Sequence, residues 1–289
     1  MIRPVKQILK SKVTMEGAGV RLKRAFGYYE IPRFDPFLLL DHFGSDNPED
    51  YIKGFPWHPH RGIETVTYML SGEVEHGDSM SNRGVIGAGD IQWMTAGSGI
   101  IHQEMPKRYE GLMQGFQLWV NLPAKKKMIA PKYRGITGDQ VPTVERGGAE
   151  IKVIAGSLDG VKGPVRDLTV EVEYFDVKLP AGKTFERATE RDRNLFAYAI
   201  EGLGFTGDKL IEPQRCVLFG EGDAVQIRSD AGIRFLFVSG KPLKEPIAWG
   251  GPIVMNTQGE LALAFWELEQ GVFIKDDTKV KPAKDFYRG

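Results

Sequence analysis

The stretch that decides the fold is FPWHPHRGIETVTYMLSG, residues 55–72. Its second half, residues 65–70, is a short run of β-branched and aromatic residues that stops close to a glycine, which is typical of a strand followed by a tight turn. Its first half carries His58 and His60, two of the five histidines in this 289-residue chain. Successive side chains of a strand point to opposite faces, so these two imidazoles project together, roughly 6–7 Å apart.

Short strand-like runs separated by glycine turns continue along the rest of the chain. In residues 168–179, LTVEVEYFDVKL, valine and tyrosine alternate with glutamate, which is the pattern of a half-buried strand. Helical periodicity is scarce, and its best candidate, residues 123–133, is interrupted by Pro131. The sequence therefore predicts an all-β protein, a sandwich or a barrel, with a few short helices.

A faint internal repeat indicates that one such unit is present twice. Residues 87–90, GAGD, resemble residues 220–223, GEGD, and residues 68–72, YMLSG, resemble residues 198–202, YAIEG. Two matched pairs in the same order and at nearly the same spacing favour duplication of one β-barrel unit.

The domain organisation follows from this repeat. A segment rich in proline, lysine and glycine, about residues 123–149, is predicted to link the halves. We expect an N-terminal barrel in residues 1–134 and a C-terminal barrel in residues 135–289. The basic run Lys125–Lys127 is expected to be solvated.

The composition excludes several classes of function. With 38 basic and 38 acidic residues the formal net charge is zero, so we expect no direct nucleic-acid binding and no membrane association. We find no secretory signal and no apolar stretch long enough to cross a membrane. Cys216 is the only cysteine, which excludes an internal disulfide and favours a buried, inert thiol. These features predict a cytoplasmic protein, and we expect it to be a monomer.

A second pair of ligand-capable side chains lies about 40 residues beyond the first. In MTAGSGIIHQEMP, residues 94–106, His102 and Glu104 are one residue apart and again face one way. Three imidazoles and a carboxylate that converge inside a barrel form a mixed nitrogen and oxygen site with open coordination positions. Such a set suits Fe(II), and also Mn, Co, Ni, Cu or Zn. The absence of a thiolate disfavours a closed structural zinc site.

Spacing alone does not decide whether Glu64 or Glu104 is the carboxylate of the site. Glu64 shares the face of His58 and His60 if the strand is unbroken, although Gly62 allows a bulge between them. Of the two remaining histidines, His76 lies in the turn-like EHGD and is expected to be exposed to solvent. His42 is expected either to have a structural role or to lie near the site.

These residues resemble a known family. Gly54-x3-His58-x-His60-x3-Glu64-x7-Gly72 resembles the first cupin motif. More specifically, HPHRGIETV and QWMTAGSGIIHQEM, together with DPFLLLDHFG, GFQLWVNLP and GGPIVMNT, resemble the pirin family in the right order over about residues 20–257.

The resemblance implies a bicupin, two jelly-roll-type barrels with a metal only in the N-terminal one. It implies a mononuclear iron centre whose ligands are His58, His60, His102 and Glu104. General cupins use the carboxylate of the first motif, here Glu64, whereas pirins use the one after the last histidine, here Glu104, and we adopt Glu104. The repeat offset places Phe235 and Phe237 at the positions of His102 and Glu104 in the second barrel, for which we expect a structural role.

The resemblance also implies a function. Similar proteins oxidise flavonols such as quercetin with O2, and by that analogy Glu104 accepts the proton of the flavonol 3-hydroxyl as general base. The partners implied are an aromatic or enolic small molecule and O2. The alternative is an iron-binding, redox-sensitive regulator that acts through protein partners, while a cupin isomerase or sugar-binding barrel is disfavoured by the specificity of the motifs.

Overall fold

In a computed structural model that describes residues 1–31 and 33–275, the chain is mostly β-strand, and these residues contain one α-helix, which confirms the all-β prediction. In chain order the strands are β1 (Val5–Lys10), β2 (Lys12–Glu16), β3 (Val20–Phe26), β4 (Phe37–Ser45), β5 (Phe55–His60), β6 (Ile63–Ser71), β7 (Val74–Asp78), β8 (Arg83–Ile86), β9 (Ile91–Thr95), β10 (Ile100–Pro106), β11 (Met113–Asn121), β12 (Lys132–Ile136), β13 (Thr143–Arg146), β14 (Ala149–Ala155), β15 (Ser157–Leu158), β16 (Val161–Lys162), β17 (Val172–Leu179), β18 (Lys183–Ala188), β19 (Asn194–Gly202), β20 (Gly204–Thr206), β21 (Lys209–Ile211), β22 (Arg215–Phe219), β23 (Ala224–Ser229), β24 (Ile233–Gly240), β25 (Ala248–Gly250) and β26 (Ile253–Met255). The helix α1 spans Gln258–Glu269, and short 3-10 turns occupy Pro48–Asp50, Ala124–Lys126 and Gly138–Gln140.

The chain divides into two compact units, and neither is continuous in sequence. The unit that we call the first barrel comprises Val13–Leu22, Leu39–Gly138 and the described residues from Lys244 onward. The second barrel comprises Met1–Lys12, Lys23–Leu38 and Asp139–Leu243. No helix in the described part of the chain has the length and apolar character that a membrane crossing requires.

The first barrel is built from two antiparallel sheets and a hairpin. A seven-stranded sheet has the order β12-β9-β6-β11-β4-β3-β2, and a four-stranded sheet has the order β5-β10-β7-β8. The hairpin β25–β26 precedes α1. The range 123–149, which the sequence suggested as a linker, contains β12 in this unit and β13 in the other.

Gly62 turns the chain from one sheet of the first barrel into the other. It has a φ of +78°, and a Cβ added there would lie 2.0 Å from the carbonyl oxygen of Val254, so no other residue fits without displacing the backbone. His60 therefore ends β5 in the small sheet, and Ile63 begins β6 in the large one. This break means that Glu64 does not continue the strand face of His58 and His60.

The helix α1 starts at a capping box and covers an apolar cluster of the first barrel. The Thr257 hydroxyl accepts from the Glu260 backbone N–H, and the Glu260 carboxylate accepts from the Thr257 N–H. Leu261 and Ala264 on the helix pack with Ile101 and Ile253 in one buried cluster. The C-terminal segment thus contributes to the core of the unit that contains the histidines.

The second barrel repeats this plan with an apolar interior. Its sheets have the orders β1-β22-β19-β24-β17-β14-β13 and β18-β23-β20-β21. Phe175, Phe185, Phe235 and Phe237 are buried together, and the rings of Phe175 and Phe237 stack with their centroids 5.6 Å apart. The buried aromatic packing is as expected, and β1, from the beginning of the chain, pairs with β22 in this unit.

The predicted equivalence between the two halves is wrong for the second motif. β10, which carries His102 and Glu104, is the second strand of its four-stranded sheet, and the strand in that position of the second barrel is β23. Phe235 and Phe237 lie on β24, in the seven-stranded sheet. The loops of the two units differ in length, so matching residues 87–90 to residues 220–223 aligned different turns.

Candidate metal centre

Three histidines from two paired strands meet inside the first barrel. His58 and His60 lie on β5 and His102 on β10, and the antiparallel pairing places His102 directly opposite His58. One ring nitrogen from each of the three lies within 4.8 Å of the others. The His-x-His spacing therefore produces the predicted convergence, with β10 supplying the third imidazole.

The hydrogen bonds around the histidines orient their Nε2 atoms toward one another. His58 Nδ1 lies 2.8 Å from the Pro56 carbonyl oxygen, and His60 Nδ1 lies 3.0 Å from that of Pro252. A carbonyl only accepts, so each Nδ1 carries the proton and each Nε2 presents a lone pair. The two Nε2 atoms are nevertheless 3.1 Å apart. Two facing lone pairs repel, and a cation between them removes that repulsion.

His102 provides a further test of whether the residues fit a metal. It is fully buried, and neither of its ring nitrogens has a hydrogen-bond partner in residues 1–31 and 33–275. Buried polar atoms nearly always have a partner, so an imidazole without one indicates a ligand supplied from outside the chain. The three inward imidazole nitrogens are a donor set that fits a transition metal, and Glu104 is not part of this group.

Burial keeps the three imidazoles in the neutral form that binds metals. It lowers the pKa of His58, against the opposing influence of the Pro56 carbonyl and of Glu104. Burial, followed by neighbouring histidines, also holds the pKa values of His60 and His102 well below their ordinary value. Neutral rings with free Nε2 lone pairs are what a divalent metal requires.

Glu104 lies two residues beyond His102 on β10, with its carboxylate held by the facing sheet. One oxygen accepts from the Thr67 hydroxyl at 2.7 Å, and the other accepts from the Gln117 amide at 3.0 Å. Thr67 on β6 and Gln117 on β11 are cross-strand neighbours. Glu104 as a whole is 5% exposed, so its carboxylate is held in a buried position.

Glu64 occupies the other face of β6. Its two oxygens accept from the Trp93 indole N–H at 2.9 Å and from the Thr95 hydroxyl at 2.7 Å, and the residue is fully buried. Residues 64 and 67 are separated by an odd number of positions on one strand, so their side chains point in opposite directions. Glu64 therefore faces away from Thr67 and from the carboxylate that Thr67 holds.

Several residues near the histidines were missed by sequence reasoning. His76 is 3% exposed, so the expectation that it is solvated is wrong. It lies on β7 directly opposite Glu104, and its ring stacks on Tyr133 of β12. Trp119 of β11 meets His60 edge to face, with ring centroids 5.0 Å apart. The alternation of side chains along β7 could have indicated which face His76 occupies. The pairing of β7 with β10 cannot be predicted from the sequence around His76.

Two buried cations attach the C-terminal segment to the chain around His60. Arg61 donates to the Ser98 carbonyl, the Glu267 carboxylate and the Phe273 carbonyl, each at 2.7 Å. Lys127, predicted to be solvated, is instead 1% exposed and donates to the carbonyls of Gly62 and Val254 and to Asn121. Burial lowers the pKa of Lys127 to about 7.

His42 and Cys216, which the sequence analysis also considered, lie apart from the three histidines. His42 is buried, its ring stacks on Phe116 at 4.5 Å, and it is hydrogen-bonded to Gln114. Phe116 adjoins Gln117 on β11 and so faces the other side of that sheet. Cys216 is buried in the second barrel, and burial raises the pKa of its thiol well above its ordinary value.

Comparisons with known proteins match both halves of the chain. A family model described as Pirin matches residues 19–120, and one described as Pirin C-terminal cupin domain matches residues 174–274. A pirin-like protein of Caulobacter vibrioides is 47% identical over 94% of this chain and 99% of its own length. A Pseudomonas aeruginosa protein provisionally named quercetin 2,3-dioxygenase is 45% identical over 93% of this chain and 98% of its own.

A solved structure is similar over the same extent. The crystal structure of a quercetin 2,3-dioxygenase from Acinetobacter baumannii matches with a TM-score of 0.88 and 32% identity, over 94% of this chain and 99% of that chain. These matches confirm two cupin barrels and agree with the family resemblance of the two histidine motifs.

Proposed function

The chain belongs to the pirin family, and on that premise we propose that it is a metal-dependent dioxygenase that opens flavonols such as quercetin with O2. The observation that carries this proposal is the set of three inward-facing imidazoles, neutral and partly without partners, beside a fixed carboxylate. The names of the similar bacterial proteins support the substrate class.

We assign the metal to His58, His60, His102 and Glu104, with Fe(II) as the expected ion and Mn, Co, Ni, Cu or Zn as alternatives. Glu104 is preferred to Glu64 because it lies on the strand of His102 and its charge acts on His58, whereas Glu64 points to the opposite face of β6 from Thr67. A bound ion of this kind supplies a Lewis acid for the substrate hydroxyl and couples the electron-rich ring to O2.

The chain's own residues then supply positioning and proton transfer. Glu104 accepts the proton of the flavonol 3-hydroxyl as general base, while Thr67 and Gln117 each hold one of its oxygens and fix its direction. Trp119, edge-on to His60, offers an aromatic surface for a planar substrate. The central ring of the flavonol opens, both atoms of O2 enter the organic product, and one ring carbon leaves as carbon monoxide.

The decisive experiment is oxygen uptake by protein of known metal content. The chain is purified without added metal, its metals are measured, and quercetin is added in an oxygen electrode with detection of carbon monoxide. We expect about one transition metal per chain and equal amounts of O2 consumed and carbon monoxide released. Two metals per chain would contradict the assignment. Absence of turnover with every metal tested, together with redox-dependent capture of a protein partner, would favour the regulatory alternative.

The location and oligomeric state stay predictions. We retain a cytoplasmic monomer as the expectation, which cell fractionation and light scattering test directly.

A further inference from the structure

His76 is a buried polar residue beside the proposed base that the reaction described above does not use. The pairing of β7 with β10 places it directly opposite Glu104, on the same face of the four-stranded sheet. Its ring centroid lies 5.7 Å from that of His102 and 4.9 Å from that of Tyr133, on which it stacks with an interplanar angle of 17°. Its ring nitrogens are not part of the group that the other three histidines form.

The two nitrogens of His76 have different surroundings. Nε2 lies 3.5 Å from a carboxylate oxygen of Asp78, which is itself fixed by the backbone N–H groups of Met80 and Asn82, each at 2.9 Å. A carboxylate accepts, so in a neutral ring Nε2 carries the proton and Nδ1 is the acceptor. Nδ1 is buried and has no hydrogen-bond partner in the described chain. It is therefore an acceptor that the protein does not satisfy.

The position of this nitrogen defines the group that suits it. The missing partner must donate a hydrogen bond and must reach the interior next to Glu104. Glu104 is already assigned to the reacting hydroxyl of the substrate, so a second hydroxyl is the group that remains. Planar phenols with two hydroxyls on the same edge of the molecule have this arrangement.

We propose that His76 determines substrate specificity by accepting, through Nδ1, a hydrogen bond from a second hydroxyl of the bound flavonol. This inference rests on the proposed function and extends it, because it makes the site selective for polyhydroxylated flavonols over those with only the reacting hydroxyl. Asp78 orients the ring through Nε2, and Tyr133 holds its plane.

The test compares quercetin with 3-hydroxyflavone, which has only the reacting hydroxyl. Dissociation constants are measured by fluorescence without oxygen, on the full-length, metal-loaded chain, for the wild type, His76→Phe and His76→Gln. Phenylalanine keeps the stack on Tyr133 and removes the acceptor, whereas glutamine restores a hydrogen-bonding group. We expect the wild type to prefer quercetin. In His76→Phe this preference should fall ~3–10-fold, the scale of one hydrogen bond. His76→Gln should recover part of it.

The matched control is His42→Phe. His42 is also buried and also stacked on an aromatic ring, but on the other face of the large sheet. His42→Phe should leave the preference for quercetin over 3-hydroxyflavone unchanged, and metal content should be the same in all variants. If His76→Phe does not fold, His76→Leu, which also lacks an acceptor, takes its place: a preference for quercetin equal to that of the wild type in this variant would count against the acceptor role.

The outcomes separate the inference from the proposed function. If the wild type and His76→Phe prefer quercetin to the same extent, the role of His76 is overturned while the proposed function stands. Loss of metal in His76→Phe also overturns it, because His76 then supports the metal rather than the substrate. A metal-loaded wild type that binds neither flavonol contradicts the proposed function, and this inference with it.

Discussion

At the scale of single residues, the two glutamates show what spacing can and cannot predict. Spacing shows that Glu104 shares a face with His102, two positions away on one strand, but the pirin resemblance was needed to prefer it to Glu64. Glu64 stayed open because its face depended on whether the chain breaks at Gly62. The structure has that break, and it places Glu64 against Trp93 and Thr95. Thr67 and Gln117, which hold Glu104, come from strands whose register only the folded sheet defines.

Replacing the two glutamates by glutamine should separate their roles. In Glu104→Gln the charge and basicity are lost, so metal should bind more weakly and flavonol turnover should fall ~10²–10⁴-fold, the usual scale for a general base. In Glu64→Gln an amide must face two donors, which should cost ~1–3 kcal/mol of stability while turnover stays near wild type. The measurements are oxygen consumption at equal metal occupancy and urea unfolding. A dead Glu64→Gln beside an active Glu104→Gln would show that this chain uses the carboxylate of the first cupin motif.

The lowered histidine pKa values predict how the metal-free protein responds to acid. His60 and His102 are neutral in the folded chain, while in the unfolded chain they take up protons below about pH 6.5. The unfolded state then binds more protons, so the free energy of unfolding should fall as the pH drops from 7 to 5. The loss should approach ~1.4 kcal/mol per pH unit for each histidine. Urea unfolding of metal-free wild type and of His60→Leu/His102→Leu measures this, and equal pH slopes for the two proteins would refute the explanation.

At the scale of elements, the turn after β5 and the C-terminal helix depend on each other. Arg61 follows His60 directly and reaches Glu267 of α1, while His60 donates to Pro252 in the turn between β25 and β26. From the sequence, the strand pattern and the position of His-x-His were predictable. The partner of Arg61 was not, because it lies 206 positions away and only tertiary packing brings it near.

Arg61→Met should therefore affect both stability and metal binding. It leaves the buried Glu267 carboxylate with one fewer partner and two carbonyls unpaired, and breaking a buried ion pair typically costs ~3–5 kcal/mol. Because the same segment orients His60, metal should also dissociate faster. Arg187→Met, which breaks the Arg187–Glu173 pair in the second barrel, is the matched control and should leave metal dissociation unchanged. Unfolding midpoints and the rate of metal transfer to a chelator measure the two effects, and wild-type transfer rates in Arg61→Met would disprove the coupling.

At the scale of the whole molecule, the repeat predicted two barrels but not which segments build them. Each barrel takes strands from distant parts of the chain: residues 1–12 belong to the second barrel and residues 244–275 to the first. Sequence reasoning assigned contiguous halves, since hydrophobic pattern reports which residues are buried and not which partner buries them. Phe235 and Phe237 were matched to the wrong strand for another reason: the repeat paired residues 87–90 with residues 220–223, which are turns between different strands.

A chain that ends at residue 243 tests this organisation. It keeps His58, His60, His102 and Glu104, but it lacks Pro252, which orients His60, and the helix residues that cover Ile101. We expect metal content well below one per chain and a first barrel that unfolds at lower urea concentration. Phe237→Ala in the full-length chain is the control, since a buried Phe→Ala change costs ~3–5 kcal/mol but lies in the second barrel and should leave metal content intact. If the shortened chain instead held metal as tightly as the wild type, residues 1–243 would suffice for the site, and the metal centre would not need the C-terminal segment.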